Sequence, residues 1–282
     1  MTDRLVTGLA ILATGLVILP LVAIFIYLLY KGASSVNLAF FTEIPKPEGE
    51  VGGGMANAIA GSAILLGLAS LIGVPIGIGG GIYLAEFGRG TKLANAIRFT
   101  ADVLNGVPSI VMGLAVYALI VFPQGTGIPL IGHFSAFSGG VVLGIMMIPT
   151  VCRTTEEMLL MVPHVVREAA LGLGVPNWRS VLSITLRTAS PGIITGCMLA
   201  FARVAGETAP LLFTAFGNSF MSTSLKDPIE ALPLQIYIFA QSPYDDQHRL
   251  AWAGALVLIV LIVLAVSLVR FVTSRGVLKG AS

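Results

Sequence analysis

Long apolar runs separated by short polar stretches make up most of this chain. About 20 consecutive apolar residues cross a bilayer as a helix. By that measure the pattern predicts about six spans: 8–30, 57–84, 104–122, 138–161 with a polar end, 191–213 and 251–272. The first run, Leu5 to Tyr30, is longer than a secretory-signal core and shows no small-x-small cleavage site, so it reads as a retained span. Pro75, Pro108, Pro149 and Pro210 fall inside the runs. Membrane helices tolerate such residues because neighbouring helices satisfy the freed backbone groups. The spacing of Gly61, Gly67, Gly73 and Gly77 predicts a stripe on which helix backbones approach closely.

Composition agrees with a membrane chain. Of 282 residues, 56% are hydrophobic and 11% charged, against about 25% charged in soluble domains. The expected fold class is therefore an all-α polytopic transmembrane helical bundle. It forms a single domain over 1–282, with its core at 57–272 and no separate soluble domain. The net charge of +2 gives no reason to expect nucleic acid as a partner; the lipid bilayer is the expected surrounding. Basic residues divide unevenly between the two sides. Arg4, Arg89, Lys92, Arg98, Arg167, Arg179, Arg187, Arg270, Arg275 and Lys279 fall on one side, and Lys31, Lys46, Lys226 and Arg249 on the other. The positive-inside rule then predicts that both termini of the multi-pass chain are cytoplasmic. The far-side loops hold Glu43, Glu48, Glu50, Asp227, Glu230, Asp245 and Asp246, an acidic rim that does not steer anions inward.

Against this background Arg203 and Glu207 stand out, four residues apart within the fifth predicted span. An arginine at a helix centre costs roughly 3 kcal/mol on insertion scales. The i, i+4 spacing predicts that the two share a helical face, Glu207 neutralising Arg203 until an anion competes for it. A guanidinium presents a fork of donors that fits tetrahedral oxyanions. Arg153, followed by Thr154, Thr155, Glu156 and Glu157, is either a second anion contact or a residue snorkelling to the interface, with its carboxylate neighbours salt-bridged to Arg153 or Arg167. Thr208 offers a hydroxyl beside Glu207. The substrate-path candidates are thus Arg203, Glu207, Arg153 and Thr208.

Between the fourth and fifth predicted spans lies a polar but periodic segment, 163–190. Val165 to Leu171 reads as a short helix, which Gly172 and Gly174 allow to end in a left-handed cap. Pro176 suits the first turn of a second helix carrying Trp178, Val181, Leu182 and Ile184. Two short helices around a sharp turn make a rigid knob, with Trp178 as an aromatic anchor.

The knob carries a pattern: Glu168–Ala169–Ala170, three residues, Gly174, nine residues, then Ile184-x-Leu186. It resembles the EAA loop of ABC importer permeases except at its last position, where Arg187 replaces Pro, with Pro191 following shortly after. Other stretches extend the likeness over most of the chain. Phe41-Thr-Glu-Ile-Pro with Gly52-Gly-Gly-x-x-Asn57, Ile82-Tyr-Leu-Ala-Glu-Phe-Gly88, Gly106-Val-Pro-Ser-Ile-Val-x-Gly-Leu114 and Ala202-Arg-Val-Ala-Gly-Glu-Thr-Ala-Pro210 resemble PstA-type permease subunits of ABC phosphate importers. The resemblance implies a type I importer fold, a place in the bacterial plasma (inner) membrane, and an ATPase-coupling role for Glu168, Ala169, Ala170, Gly174 and Trp178. It implies as partners a second permease subunit (PstC-type), an ATPase dimer (PstB-type) and an extracytoplasmic phosphate-binding protein (PstS-type).

What the sequence lacks fits a non-catalytic permease. No Gly-x4-Gly-Lys-Ser/Thr loop is present, the nearest stretch, Gly88 to Lys92, having the wrong spacing. ATP is therefore expected to be used by a partner subunit, with no cofactor bound by this chain. His133, His164 and His248 show no zinc spacing, and Cys152 and Cys197 lie in apolar surroundings without a metal or disulfide pattern. Sulfate and molybdate stay open as cargo, since an arginine alone does not separate tetrahedral oxyanions. An ATP-independent anion transporter is a further alternative, but it would be expected to show internal repeats and would not need the docking-type loop.

Overall fold

The computed structural model describes residues 2–122 and 132–279. Its helices run in the order α1 (Thr2–Gly32), α2 (Leu38–Thr42), α3 (Ala56–Ile82), α4 (Lys92–Gly106), α5 (Ser109–Val116), α6 (Ala136–Leu160), α7 (His164–Gly172), α8 (Asn177–Ser180), α9 (Leu186–Ala205), α10 (Ala209–Thr214), α11 (Leu232–Ala240) and α12 (Asp245–Lys279). Three π-helical turns, Tyr83–Phe87, Tyr117–Val121 and Val181–Thr185, prolong α3 and α5 and fuse α8 to α9. Among the described residues the strand-like pairing consists of two isolated bridges, Pro45 with Gly53 and Phe216 with Ile229.

Five stretches are long and apolar enough to cross a membrane: Arg4–Ser35, Ala56–Phe87, Ala136–Leu160, Asn177–Ala205 and Asp245–Phe271. A sixth crossing arises when α4 and the α5 segment, bent by 108°, count as one. The bundle is therefore multi-pass and all-helical as expected, but two spans differ from their sequence boundaries. The third, expected at 104–122, is broken at Val107–Pro108. Proline lacks an N–H and pushes its predecessor out of the helical region, and Val107 is accordingly extended (φ −72°, ψ 130°). The fifth, expected at 191–213, is a longer rod, Asn177–Ala205, that stops early. Gly206 ends it with φ −97° and ψ 2°, and the chain restarts as α10 with a proline in its first turn.

The centre of the bundle is the pairing of α3 with α6. Gly73, Gly77 and Gly81 repeat every four residues and form a flat seam on α3. A Cβ at Gly73 would stand 2.6 Å from Met147 Cβ, one at Gly77 2.6 Å from Val151 Cβ, and one at Gly81 2.5 Å from Thr155 Cβ. From the other side Gly140 and Gly144 receive Leu68 and Ile72. The glycine stripe expected from sequence is thus shifted: Gly61 packs under the Glu230 carbonyl, and Gly67 meets nothing within 4 Å. Leu65, Leu143, Met147, Val151, Ile193 and Val204 complete this core. A second cluster, with Phe40, Met55, Leu232, Phe239 and Leu250, closes the end where α2, α11 and the start of α12 meet. The first helix packs on α12, with Tyr27 and Trp252 edge to face at a centroid distance of 5.3 Å.

The seam yields a paired test. In detergent, Gly77→Val must push α3 from α6 and is expected to lower stability by about 1–3 kcal/mol, the usual cost of overpacking. Gly79→Ala, where no atom lies within 4 Å, is expected to leave the unfolding temperature unchanged or slightly raised.

Candidate functional site

The bend at Pro108 gives α4 a task that the sequence pattern did not reveal. This helix is amphipathic, and it lies antiparallel along α6. Arg98, Asp102 and Asn105, spaced i, i+4 and i+7, share one face. They meet Glu156, Arg153 and Thr150, spaced at three-residue intervals on α6. Arg98 Nε donates to Glu156 Oε1 at 2.7 Å. Arg153 Nη1 donates to Glu156 Oε2 at 3.0 Å, and its Nε and Nη2 face Asp102 Oδ1 and Oδ2 at 3.1 and 3.4 Å. Thr150 donates to Asn105 Oδ1 at 3.4 Å. Positive and negative groups alternate along this seam, so each guanidinium is matched by a carboxylate. Glu156 is buried, with 5% of its side chain exposed, whereas Asp102 keeps 57% of its own in the open.

Arg203 sits at the open end of the same seam. It occupies the last turn of α9, where the helix dipole favours a cation, and its Nη1 donates to Asn105 Oδ1 at 3.5 Å. The expected partnership with Glu207 is not formed. The helix ends at Ala205, so the four-residue spacing no longer places the carboxylate beside the guanidinium, and no ion pair joins the two among the described residues. Glu207 instead lines a small crevice with Ser62, Leu66, Val204 and Pro233. Thr208 turns its hydroxyl to the Pro233 carbonyl at 3.5 Å. The structure therefore brings Arg203 and Arg153 onto one seam and places Glu207 and Thr208 on the α11 side of the helix break. Of the three guanidiniums on the seam, Arg203 alone has no carboxylate within ion-pair distance among the described residues.

The expected knob is present at the end of the bundle below Glu156. Helix α7 closes with a Schellman turn: Val175 N–H donates to the Ala170 carbonyl at 3.2 Å and Gly174 N–H to Leu171 at 2.9 Å. Gly174 takes φ +80°, a conformation that favours glycine. Pro176 stands at the N-cap of α8, one position before the first turn. Ala170 is buried against the knob's own interior, while Glu168, Ala169 and Gly174 face outward. Around them Val165, Leu173 and Trp178 are 72%, 84% and 61% exposed. These large side chains form an exposed apolar patch on the knob. The second arm of the knob is not a separate short helix, as expected, but the start of the rod that ends at Arg203.

Two further features escaped the sequence. Arg167 pairs with Glu86, not with Glu156 or Glu157. Glu230, expected on an acidic rim, is 5% exposed and accepts from the backbone N–H groups of Asn218 and Ala231 at 3.2 and 3.1 Å. Burial pushes its carboxyl above the usual range, and the two N–H donors pull it back down. Asn57 anchors the same knot by donating to the Asn218 carbonyl at 2.8 Å. The side chains of Arg275 and Lys279, which enter the expected orientation, lie outside the described residues.

This arrangement has known relatives. Residues 77–276 match the family described as binding-protein-dependent transport system inner membrane component. The phosphate transport system permease protein PstA of Yersinia pestis is 47% identical over 245 residues, covering 87% of this chain and 81% of that protein. The protein of the same description from Xylella fastidiosa is 50% identical over 237 residues, covering 84% and 80%. Among solved structures, an inward-facing MetNI methionine ABC transporter chain superposes with a TM-score of 0.54 at 20% identity, covering 80% of this chain and 96% of that one. That likeness bears on the fold alone. With an all-helical bundle of the importer type, a family match over residues 77–276 and relatives this similar along most of its length, the chain belongs to the binding-protein-dependent transport system inner membrane components, as a non-catalytic permease subunit.

Proposed function

We propose that this chain is the permease subunit of an ATP-driven importer of inorganic phosphate, which lines the translocation path and links it to ATPase subunits. The observation that carries the reading is Arg203, a guanidinium that has no carboxylate partner among the described residues and stands at the open end of a seam whose other charges are balanced. Phosphate as the cargo is supported by the description shared by the relatives. An anion meeting Arg203 finds a fork of donors whose bond to Asn105 is long, at 3.5 Å. Its next station is Arg153, already engaged by Asp102 and Glu156. The exposed Asp102 acts there as a resident anion. Phosphate reaches Arg153 only by displacing it, and its return helps release the cargo. Contact is thus strong enough to select and weak enough to let go.

The remaining parts follow from the same reading. The knob, with Glu168, Ala169, Ala170, Gly174 and Trp178 on or beside its outer face, docks a cytoplasmic ATPase dimer. A second, related permease subunit completes the path, and an extracytoplasmic phosphate-binding protein delivers to it. Both termini and the knob then face the cytoplasm, in keeping with the basic residues on that side. The whole chain, 1–282, acts as one transmembrane domain with its core at 57–272 and its coupling loop at 163–190. It binds no cofactor of its own and no nucleic acid.

Three measurements test this. In vesicles containing the assembled importer, Arg203→Gln is expected to retain its partners and lose phosphate uptake by about tenfold or more, the factor set by one charge-assisted hydrogen bond of roughly 1.5–3 kcal/mol; normal uptake would reduce Arg203 to a packing role. Asp102→Asn leaves Arg153 with a single carboxylate and is expected to lower both the half-saturating phosphate concentration and the maximal rate, the mark of a site that binds better and releases worse. At Gly174 nothing stands within 4 Å of an added Cβ. Gly174→Asp therefore costs the fold only about 1–2 kcal/mol of backbone strain. It is expected to insert normally yet lose the ATPase on purification.

A further inference from the structure

The stretch Ile82 to Gly88 resembles the importer pattern, yet the functions assigned so far give Glu86 no part. In the structure it is buried, with 7% of its side chain exposed, and Oε1 accepts from Arg167 Nη2 at 2.7 Å and Nε at 3.1 Å. The same guanidinium donates through Nη1 to the Val162 carbonyl at 2.7 Å and through Nη2 to the Leu159 carbonyl at 2.6 Å. One side chain therefore fastens three elements: α7, which carries it; the C-terminal end of α6; and the π-turn that prolongs α3. Each bond has a reason. The Leu159 carbonyl, in the last turn of α6, and the Val162 carbonyl, just after it, lie at the negative end of its dipole, so they attract a cation. The fork of donors on arginine serves a carboxylate and two carbonyls at once, which a lysine ammonium does not reproduce. Arg167 directly precedes Glu168 of the knob.

We infer that the Arg167–Glu86 clamp is the joint through which the knob drives α3 and α6, making both residues positioning residues for the coupling of ATP hydrolysis to phosphate movement. The inference rests on the knob being the ATPase dock. Helices α3 and α6 are locked to each other by the glycine seam, so a push received at Arg167 moves them as one body. Helix α6 carries Thr150, Arg153 and Glu156, and its displacement is felt at the ion seam against α4. Without the clamp, the chain link from α6 to α7 would be the short turn at Met161–Pro163, and part of the knob motion would be spent in bending that turn.

The test uses the assembled importer with its ATPase, in phospholipid vesicles, with inorganic phosphate as the probe. Glu86→Gln keeps the shape and removes the charge; Arg167→Lys keeps the charge and removes the fork. Both variants are expected to retain the ATPase and to hydrolyse ATP, while phosphate moved per ATP falls by at least about fivefold, the low end of coupling factors between sites. Backbone amides over 164–175 are expected to exchange faster than in the wild type. Should Glu86→Gln fail to insert, Arg167→Lys decides alone, since it strands no buried carboxylate. A wild-type ratio of phosphate to ATP in an inserted variant overturns the inference. Loss of the ATPase from Arg167→Lys overturns it too, by making the clamp a folding element of the dock. Failure of the docking assignment itself is read elsewhere: Gly174→Asp would then keep its ATPase.

Discussion

A charge placed among apolar helices must find an opposite charge or reach water, and much of this chain is arranged around that requirement. Leaving one partner of a buried pair unmatched costs several kcal/mol, more than most single packing contacts supply. Arg98, Glu156, Arg153 and Asp102 meet it by alternating. The alternation also fixes geometry. Arg98 opposes Glu156, Asp102 opposes Arg153, and Asn105 opposes Thr150. A slide of α4 by one turn along α6 would set like charges against each other. The seam therefore holds α4 in register, and with it the bend at Pro108 and the direction of α5. Arg203 comes next in line, and its lack of a carboxylate among the described residues is conspicuous because its neighbours are balanced.

The apolar part of the fold was largely legible in the sequence. Runs of about 20 apolar residues are a strong signal, and the helices near 57–84, 138–161 and 251–272 differ from expectation by only a few residues at most ends. The two spans that differ do so where backbone chemistry overrides hydropathy. Pro108 divides what reads as one apolar stretch, and Gly206 stops a helix that the apolar count carries on to Phe213. At the other end of the fifth span, Arg179 and Arg187 made the start of the rod read as a separate short helix outside the span, because hydropathy averages over all faces while a helix needs only one of them apolar. The knob was readable for a different reason. Its cap glycine and N-cap proline are local signals, and local signals survive without knowledge of the fold.

The site was legible in its arginines and not in their partners. An arginine in an apolar run is visible by itself; what neutralises it depends on which helix lies alongside. Glu207 was the nearest carboxylate in sequence, but its pairing required the helix to continue through Gly206. Asp102 was hidden because the polar stretch before the expected span 104–122 reads as a loop when its periodicity is not followed, and Asn105 because it was counted into that span rather than into α4. The spacing of Arg98, Asp102 and Asn105 against Thr150, Arg153 and Glu156 does carry the signal, since two complementary polar faces on adjacent elements predict a seam. Glu86 and Arg167, 81 residues apart, carried no such signal. A buried pair between distant turns is set by tertiary packing alone.

The two arms of the knob are fastened to different parts of the bundle, and this gives the architecture its directional character. Helix α7 is tied by Arg167 to α6 and to the end of α3. Helix α8 runs without interruption, through the π-turn Val181–Thr185, into α9. At 1.5 Å per residue the rod sets Trp178 roughly 37 Å from Arg203. The Schellman turn at Gly174 fixes the angle between the arms, so a tilt of the knob moves both at once. Under the proposed coupling, a tilt would reach Arg153 through α6 on the clamped side and Arg203 along the rod. Because the two routes differ in length and attachment, one tilt would displace the two guanidiniums by different amounts and so change the spacing between the two proposed anion stations, which is what passing an anion from one to the next requires.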